Sequence, residues 1–322
     1  MIMKKMILFL AIALSCSMGT FAQSSLVATL QHGSNIQAFY GIDALSSAHT
    51  AAVDGDIITL STGEFNSCDI TKVISLRGEG IGKTILNSYI TFTIPHGSAY
   101  TLNLEGLQFG NSSRSIGVSI TGTDGTERVV ISKCLFHLWQ RSISITNCNA
   151  TIVQCRTNYG QVEARGNSNI TCQNSKLGVS RNENSHFDIQ NCVLVGGYDM
   201  KYSSIKNSII DWASSSWSLD ASSTSTHCLV INDASGFANS WYVDSWENII
   251  VGNPRDMNEQ AYSPYQLTES AASTYLGTDG TQVGIYGGMY PYDETPSYPL
   301  VKTLDVIGTH SNGKLNVKIN VE

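Results

Sequence analysis

Three pairs of charged residues recur at similar places in three successive segments of the chain. They are Glu163 with Arg165, Arg181 with Glu183, and Asp199 with Lys201. The members of each pair are two positions apart, so on a β-strand both side chains point to the same side. An acid and a base held together can transfer protons to and from a substrate. The pattern predicts a catalytic group with Arg181 or Lys201 as base or charge stabiliser and Glu183 as acid. Asp199 belongs to the same group.

The same six residues also fit a purely structural arrangement. Opposite charges on neighbouring strands form salt bridges on solvated sheets, and such surface pairs are common. The sequence leaves both interpretations open. In the catalytic interpretation we expect Glu163 and Arg165 to contact the substrate.

A second basic pair, Arg156 and Lys176, comes directly after two members of a series of repeated small residues. Guanidinium and ammonium groups bind carboxylates through charge-assisted hydrogen bonds. We therefore expect the pair on the outer surface, where it could hold the carboxylate of a uronate sugar. The alternative is that both are ordinary solvated residues.

Four tryptophans lie close together in segments rich in Ser and Asp. They are Trp212, Trp217, Trp241 and Trp246. Tryptophan in a polar loop offers a flat apolar face with a hydrogen-bonding edge, which suits stacking on a sugar ring. We expect some of the four to bind substrate in this way and others to pack their loops onto the fold.

A ladder of small residues must position all of these groups. Its members are Gly106, Cys134, Cys155, Ser175, Cys192, Ser208, Cys228 and Asn248, at spacings of 16 to 28 residues. Self-similarity near 20 residues is typical of a solenoid, in which each turn buries its apolar face against its neighbours. Asn174, Asn191 and Asn207 come just before ladder residues, and asparagine tolerates the left-handed backbone of a tight corner.

The repeat is too short to include a crossover helix, so the strands of successive turns must pair directly. This predicts an all-β fold: a single-stranded, right-handed parallel β-helix with an N-terminal capping helix and a C-terminal capping hairpin. A β-sandwich is the alternative, but the two-residue hairpin turns it needs are missing from this region.

The cysteines are expected to be small buried residues of the core. The other possibility is a disulfide between Cys134 and Cys155, because adjacent turns lie about 4.8 Å apart. No Cys-x-x-Cys pair or zinc-spaced His/Cys cluster occurs in the sequence. The sequence therefore predicts no cofactor and no metal site.

The ends of the chain differ from the repeats. Residues 1–22 resemble a secretory signal peptide, with Lys4 and Lys5 before a short apolar run and a small-residue cleavage site. Lipid attachment at Cys16 is the alternative. We expect an N-terminal cap over residues 23–56 with a helix at 41–53, the β-helix over 57–256, and a closure with a hairpin over 257–322. This predicts a protein that is secreted, periplasmic or on the outer cell surface.

Charge limits the partners. The formal net charge is −7, and it becomes −9 once Lys4 and Lys5 are removed. An acidic chain disfavours nucleic acid and anionic membranes, and it holds a polyanionic sugar poorly. No segment after the leader is long and apolar enough for a membrane-spanning helix. We expect a monomer.

Two segments carry a resemblance to a known family. The first includes Gly55, Asp56, Ile58, Gly63, Phe65, Leu76, Gly78 and Gly80. It is similar to the opening of right-handed parallel β-helix proteins of the pectin-lyase-like superfamily. The second, residues 277–291, resembles the closing motif of secreted bacterial members.

The resemblance implies activities as well as a fold. Family lyases use an Arg or Lys to remove a proton beside a uronate carboxylate, often with calcium, and family hydrolases use clustered aspartates. Neither catalytic signature can be placed on this chain.

From the resemblance, the charged pairs and the tryptophans we expect an exported protein that binds or processes a carbohydrate polymer along its outer groove. If it is an enzyme, it is a polysaccharide lyase or glycoside hydrolase. The alternative is a non-catalytic surface or periplasmic module for a protein or cell-wall partner.

Overall fold

The computed structural model describes residues 26–111, 117–137, 142–158, 160–181, 184–198, 200–211, 219–231, 235–252, 265–298, 301–306 and 317–321. The predicted leader, with Cys16, lies outside these residues. Two helices are described, α1 Ala44–Ala51 and α2 Glu269–Thr274.

Short strands make up most of the described chain. The first are β1 Val27–His32, β2 Asn35–Tyr40, β3 Ile57–Leu60, β4 Gly63–Phe65, β5 Ser75–Gly78, β6 Thr84–Leu86, β7 Ile90–Thr93, β8 Leu102–Glu105 and β9 Gln108–Phe109. The next are β10 Val118–Thr121, β11 Arg128–Ser132, β12 Leu135–His137, β13 Ser142–Thr146, β14 Asn149–Val153, β15 Arg156–Asn158, β16 Gln161–Arg165, β17 Asn169–Gln173 and β18 Lys176–Arg181. The last are β19 His186–Gln190, β20 Val193–Tyr198, β21 Ser204–Lys206, β22 Ile209–Asp211, β23 Thr224–Thr226, β24 Leu229–Ile231, β25 Trp241–Val243, β26 Val301–Val306 and β27 Val317–Val321.

Within the described residues, eleven strands form sheet A, in the order β2-β1-β3-β5-β8-β11-β14-β17-β19-β21-β23. Sheet B runs β4-β6-β9-β12-β15-β18-β20-β22-β24-β25, and a side ladder of β7, β10, β13 and β16 joins it at β18. Consecutive turns pair in parallel throughout. The described chain is thus a right-handed parallel β-solenoid of about eight turns, which confirms the predicted fold class. The β-sandwich alternative is wrong.

Identical positions of successive turns stack to form the core inside the solenoid. Ile131, Ile152, Cys172, Ile189 and Ile205 are direct neighbours across sheet A, and all are buried. Burial on this scale is the main favourable contribution to folding. The apolar or small residue that lies three positions before each of these ladder residues is therefore a core residue.

The predicted asparagine corners are confirmed as well. Asn174, Asn191 and Asn207 have φ angles of 45°, 49° and 53°.

The predicted ladder is wrong at both of its ends, where the residue named does not occupy the ladder position. Gly106, with a φ of 65°, occupies the corner itself, and its neighbour Leu107 takes the ladder position. The last described turn is short, so the backbone N–H of Cys228 meets Ser240 rather than Asn248.

The ladder residues are small because each one bridges two turns with its γ atom. The backbone N–H of Cys155 donates to Oγ of Ser175 at 3.0 Å, and that hydroxyl donates to the Gln173 carbonyl at 2.7 Å. Buried backbone N–H groups need such partners. The N–H of Cys134 likewise donates to the sulfur of Cys155 at 3.4 Å. All seven cysteines that the structure describes are free thiols, so the disulfide alternative is wrong.

The N-terminal end of the solenoid is covered by α1 and a hairpin. The helix lies within the predicted range and buries Ala44, Leu45 and Ala48 against the first turns. The hairpin of β1 and β2 was not predicted, and β1 pairs antiparallel with β3. Since β2 is almost wholly exposed, it lacks the apolar alternation that marks a half-buried strand. The hairpin extends sheet A by two strands, so that β2 becomes its edge, and a capping role for this end stays a prediction.

Residues 265–298, which we call the C-terminal cover, fold back along the outside of the solenoid. They contact successive corners, namely Asn207 with Thr278, Asn174 with Gly287, Gln154 with Pro291 and Gly78 with Tyr298. Under part of the cover lies a second apolar cluster, in which Ile209 and Leu229 face out of sheet B toward Ile285. Sheet B is therefore buried on both faces at this point.

The predicted C-terminal hairpin is present as a strand pair, since β26 and β27 are antiparallel. The segment that joins the two strands, residues 307–316, lies outside the described residues. Capping of the last turn by this hairpin stays a prediction. Among the described residues, no helix has both the length and the apolar character to span a membrane.

Candidate functional site

The predicted charged pairs do not form a continuous stripe in the described residues. Arg165 Nη2 donates to Glu163 Oε2 at 2.8 Å, so this pair is an ion pair within one strand. The register of β18 puts Ser180 beside Glu163 and Arg181 beside Ala164. Arg181 is thus out of line with Arg165. Glu183 and Asp199 lie outside the described residues, and Lys201 is exposed just before β21. A catalytic role for the group stays a prediction.

Arg156 and Lys176 are buried, contrary to the prediction that they lie on the outer surface. They are neighbours on β15 and β18 and are 5% and 4% exposed. The C-terminal cover explains the difference, because Glu294 lies 3.0 Å from Nε of Arg156. An extended carbohydrate cannot reach a pair that the chain itself covers.

The surroundings of Lys176 are unusual for a cation. Its Nζ lies 5.5 Å from the centre of the Tyr265 ring, and the hydroxyl of Tyr265 donates to Asp211 at 2.6 Å. Burial lowers the pKa of Lys176 to about 8, with a further lowering by Arg156 and a partial offset by Asp211. Because the whole cluster lies under the cover, it holds the cover in place and belongs to the fold.

Two of the four predicted sugar-binding tryptophans lie in the described residues. Trp212 and Trp217 lie outside the described residues. Trp241 is half-buried on the last strand of sheet B, with its ring edge-on to His227 and Tyr275. Trp246 packs against the same apolar cluster. Both described tryptophans therefore help to pack the C-terminal end of the solenoid, and a sugar-binding role for the four stays a prediction.

A different surface has the features of a binding site. We call it the trough: the outer face of β17, β19, β21 and β23, together with its two rims. Alternation along each strand turns polar side chains outward. One depression of about 530 Å³ is lined by the outward residues Asn169, Thr171, His186, Asp188, Ser204 and Thr224. Parallel register places Thr171, Asp188, Ser204 and Thr224 in one column, at steps of about 4.8 Å.

A second depression, of about 560 Å³, continues the trough toward the corners. It is lined by Gln173 and Gln190 on the strands and by Asp279, Met289 and Tyr290 of the cover. A hydrogen bond links a lining residue of each depression, since Nε2 of Gln190 donates to Oδ2 of Asp188 at 3.0 Å. From Asn169 to Gln173 the floor is about 13 Å wide at the usual rise of a strand.

Aromatic side chains stand on both rims. Tyr202, before β21, is 61% exposed, and Tyr290 of the cover is 66% exposed. The cover rim is fixed by the corner asparagines, since Nδ2 of Asn174 donates to the carbonyls of Ile285 and Gly287 at 2.9 and 2.8 Å. Gly288 follows with a φ of 76°, a conformation that favours glycine. It directly precedes the exposed residues Met289 and Tyr290.

The trough was not predicted from the sequence, although a signal for it exists. The phrases "NITCQN" and "HFDIQN" are the same stretch of two successive turns, with outward polar residues at alternate positions. Polar alternation alone is usual for a solvated sheet. What distinguishes this face is that the cover forms one of its rims, and the cover has no repeat that would reveal its path.

Outside the trough, the described residues contain one cluster that could hold a metal ion. It consists of His96, Asp124 and Glu127. The sequence predicts no metal site here, because His96 is 28 positions from Asp124, the nearer carboxylate, and no known metal-binding motif has this spacing.

Comparison of the chain with protein-family models, with curated proteins and with solved structures gave no match. The residues of the chain itself therefore have to support any functional assignment.

Proposed function

We propose that the protein is an exported, lectin-like β-solenoid that binds a neutral carbohydrate polymer in the trough. The observation that carries the proposal is the combination of a polar floor with exposed tyrosines on both rims. Amide, hydroxyl and carboxylate groups repeat along the floor, and they can donate and accept hydrogen bonds with sugar hydroxyls. Tyrosine rings offer apolar faces for the sugar rings.

The repeat of the fold favours a polymer over a single small molecule. Each further turn presents the same kind of side chain one strand spacing along, as in the column of Thr171, Asp188 and Ser204. An open trough can bind the middle of a long polymer while both ends of the polymer extend beyond it. A neutral polymer fits the acidic balance of the protein, since a net charge of −7 repels polyanions.

Binding is favoured over processing by the state of the carboxylates that line the trough. Asp188 accepts a hydrogen bond from Gln190, and Asp279 accepts from the backbone N–H and the hydroxyl of Thr281 at 3.0 and 2.8 Å. Glycoside hydrolysis requires two carboxyl groups that face one sugar linkage from opposite sides. The two described carboxylates line different depressions instead, Asp188 the first and Asp279 the second.

Export and family membership are further parts of the proposal. The leader-like residues 1–22 support a location outside the cytoplasm. The opening motif around Gly55 to Gly80 supports the pectin-lyase-like superfamily, and the solenoid architecture is consistent with it.

A glycan array of neutral and anionic polysaccharides, followed by calorimetry on the hits, tests the proposal. We expect a neutral polymer to bind and Tyr202→Asn to weaken binding at least tenfold. Asparagine is chosen because Tyr202 has a φ of 51°, which asparagine tolerates. Tyr89→Ala is the matched control, since Tyr89 is 56% exposed and does not line the trough. If no glycan binds, the proposal is wrong and a protein or cell-wall partner becomes the better assignment.

A further inference from the structure

Three side chains with metal-binding atoms converge at one end of the side ladder. His96 lies in the connection between β7 and β8, while Asp124 and Glu127 lie in the connection between β10 and β11. Because β7 and β10 pair in parallel, the two connections are stacked. Nδ1 of His96 is 3.3 Å from Oδ2 of Asp124 and 3.8 Å from Oε1 of Glu127.

Local hydrogen bonds fix the orientation of both carboxylates. Oδ1 of Asp124 accepts from the backbone N–H and the hydroxyl of Thr126, at 3.0 and 2.6 Å. Oε2 of Glu127 accepts from the backbone N–H groups of Asp124 and Gly125, both at 3.3 Å. Each carboxylate therefore uses one oxygen to hold the turn and directs the other toward His96.

The second oxygen of Glu127, Oε1, is the observation that points to a ligand. The side chain is 1% exposed, and its Oε1 has no hydrogen-bond partner in the described residues. A buried carboxylate oxygen without a partner is costly, and binding a cation removes that cost. The His96 ring is 67% exposed and Asp124 is 44% exposed, so an ion can reach the buried oxygen from solvent.

We propose that His96, Asp124 and Glu127 form a binding site for a divalent first-row transition metal, with Zn²⁺ as its representative. Zinc binds nitrogen and carboxylate oxygen at about 2.0–2.2 Å, so neighbouring ligands of a tetrahedral ion lie about 3.4 Å apart. The two measured distances bracket this value. The imidazole ligand disfavours Ca²⁺ and Mg²⁺, which prefer oxygen. Three protein ligands leave a fourth position for water or an external ligand.

Titration of the untagged full chain with ZnCl₂, followed by calorimetry, tests the site. We expect one zinc ion per chain at this site and a loss of affinity of at least tenfold in His96→Ala and in Glu127→Gln. The glutamine keeps an oxygen for the two backbone N–H groups but replaces the metal-binding oxygen with an amide nitrogen. His32→Ala is the matched control, because His32 also pairs with a carboxylate, Asp56, at 2.7 Å but belongs to no three-residue cluster of this kind in the described part of the chain.

Thermal unfolding with and without ZnCl₂ gives an independent readout, since a ligand that binds only the folded state raises Tm. The rise should occur in the wild type and in His32→Ala and be absent from His96→Ala. Should Glu127→Gln fail to fold, the exposed His96→Ala decides the question. Equal zinc binding by the wild type and His96→Ala, or no zinc binding by the wild type, overturns the proposal and leaves a simple histidine–carboxylate ion pair.

Discussion

The side-chain amide of Gln190 donates to Oδ2 of Asp188 at 3.0 Å on the outer face of sheet A. The two residues are alternate positions of β19, so both point outward. Their hydrogen bond links a lining residue of one depression of the trough to a lining residue of the other. It also orients the carboxylate, leaving its second oxygen available to a ligand.

Replacing Asp188 should therefore weaken glycan binding. We expect Asp188→Ala to lower the affinity about tenfold, because one charge-assisted hydrogen bond to a ligand contributes about 1.5–3 kcal/mol. Calorimetry with the best glycan from the array measures the effect. A variant that binds as tightly as the wild type would show that the ligand does not contact the trough floor at this point.

A pair of threonines provides a matched localisation test. Thr171 and Thr151 are direct neighbours in one column of sheet A, but only Thr171 lines the trough. Thr171→Ala should reduce affinity about threefold and Thr151→Ala should leave it unchanged. If both variants lost affinity equally, the binding site would have to lie one turn closer to the N-terminus than we propose.

The ladder bridge at Ser175 should be measurable as stability. The hydroxyl is buried and links the Cys155 N–H to the Gln173 carbonyl. We expect Ser175→Ala to lower the free energy of unfolding by about 1–3 kcal/mol, since it leaves a buried donor without its partner. Ser175→Cys should cost less, because a sulfur already fills this role at Cys155. Urea unfolding compares the two, and a larger loss in the cysteine variant would contradict the bridge.

The free cysteines should differ in reactivity according to burial. Burial raises the pKa of Cys68 to about 11 and that of Cys192 to about 12. The thiolate is the reactive form, so both thiols should be far less reactive than an exposed one at pH 8. Cys68 is only half-buried and should be alkylated first, while Cys192 should react only after unfolding. Peptide-resolved mass spectrometry measures each rate, and rapid native labelling of Cys192 would be inconsistent with the structure.

The solenoid could be predicted from the sequence because its determinants are local and repeated. A small residue such as Cys192 follows most corners, and a residue such as Asn191 adopts the left-handed conformation of the corner itself. Both demands recur at every turn, so they show as a period. The ladder positions predicted at Gly106 and Asn248 are wrong, because the length of the turn changes there and the repeat no longer fixes the alignment of one turn with the next.

The surroundings of the solenoid could not be predicted, because they depend on contacts between distant segments. Gln154 meets Pro291 and Arg156 meets Glu294 across more than a hundred residues, and the cover carries no repeat. Arg156 therefore looked like a surface residue in the sequence. The same limitation applies to His96 and Glu127, which only the stacking of two connections brings together.

Lys176 provides a test of the cover through its pKa. Burial lowers this pKa from 10.5 to about 8 in the folded protein. Below pH 8 the lysine is charged in both states, so the full cost of burying the charge is present. Between pH 8 and 10.5 the unfolded state binds more protons than the folded state, and stability rises with pH for this group.

Lys176→Met keeps the aliphatic stem and removes the charge, so it should remove this pH dependence. We expect the wild type to gain roughly 2 kcal/mol relative to Lys176→Met between pH 7 and pH 10. Urea unfolding at several pH values measures the difference, and subtracting the variant cancels groups that titrate in both proteins. Lys83→Met is the control for the same substitution at an exposed lysine. A flat difference for Lys176→Met would mean that the lysine is solvated and that the cover does not close over it.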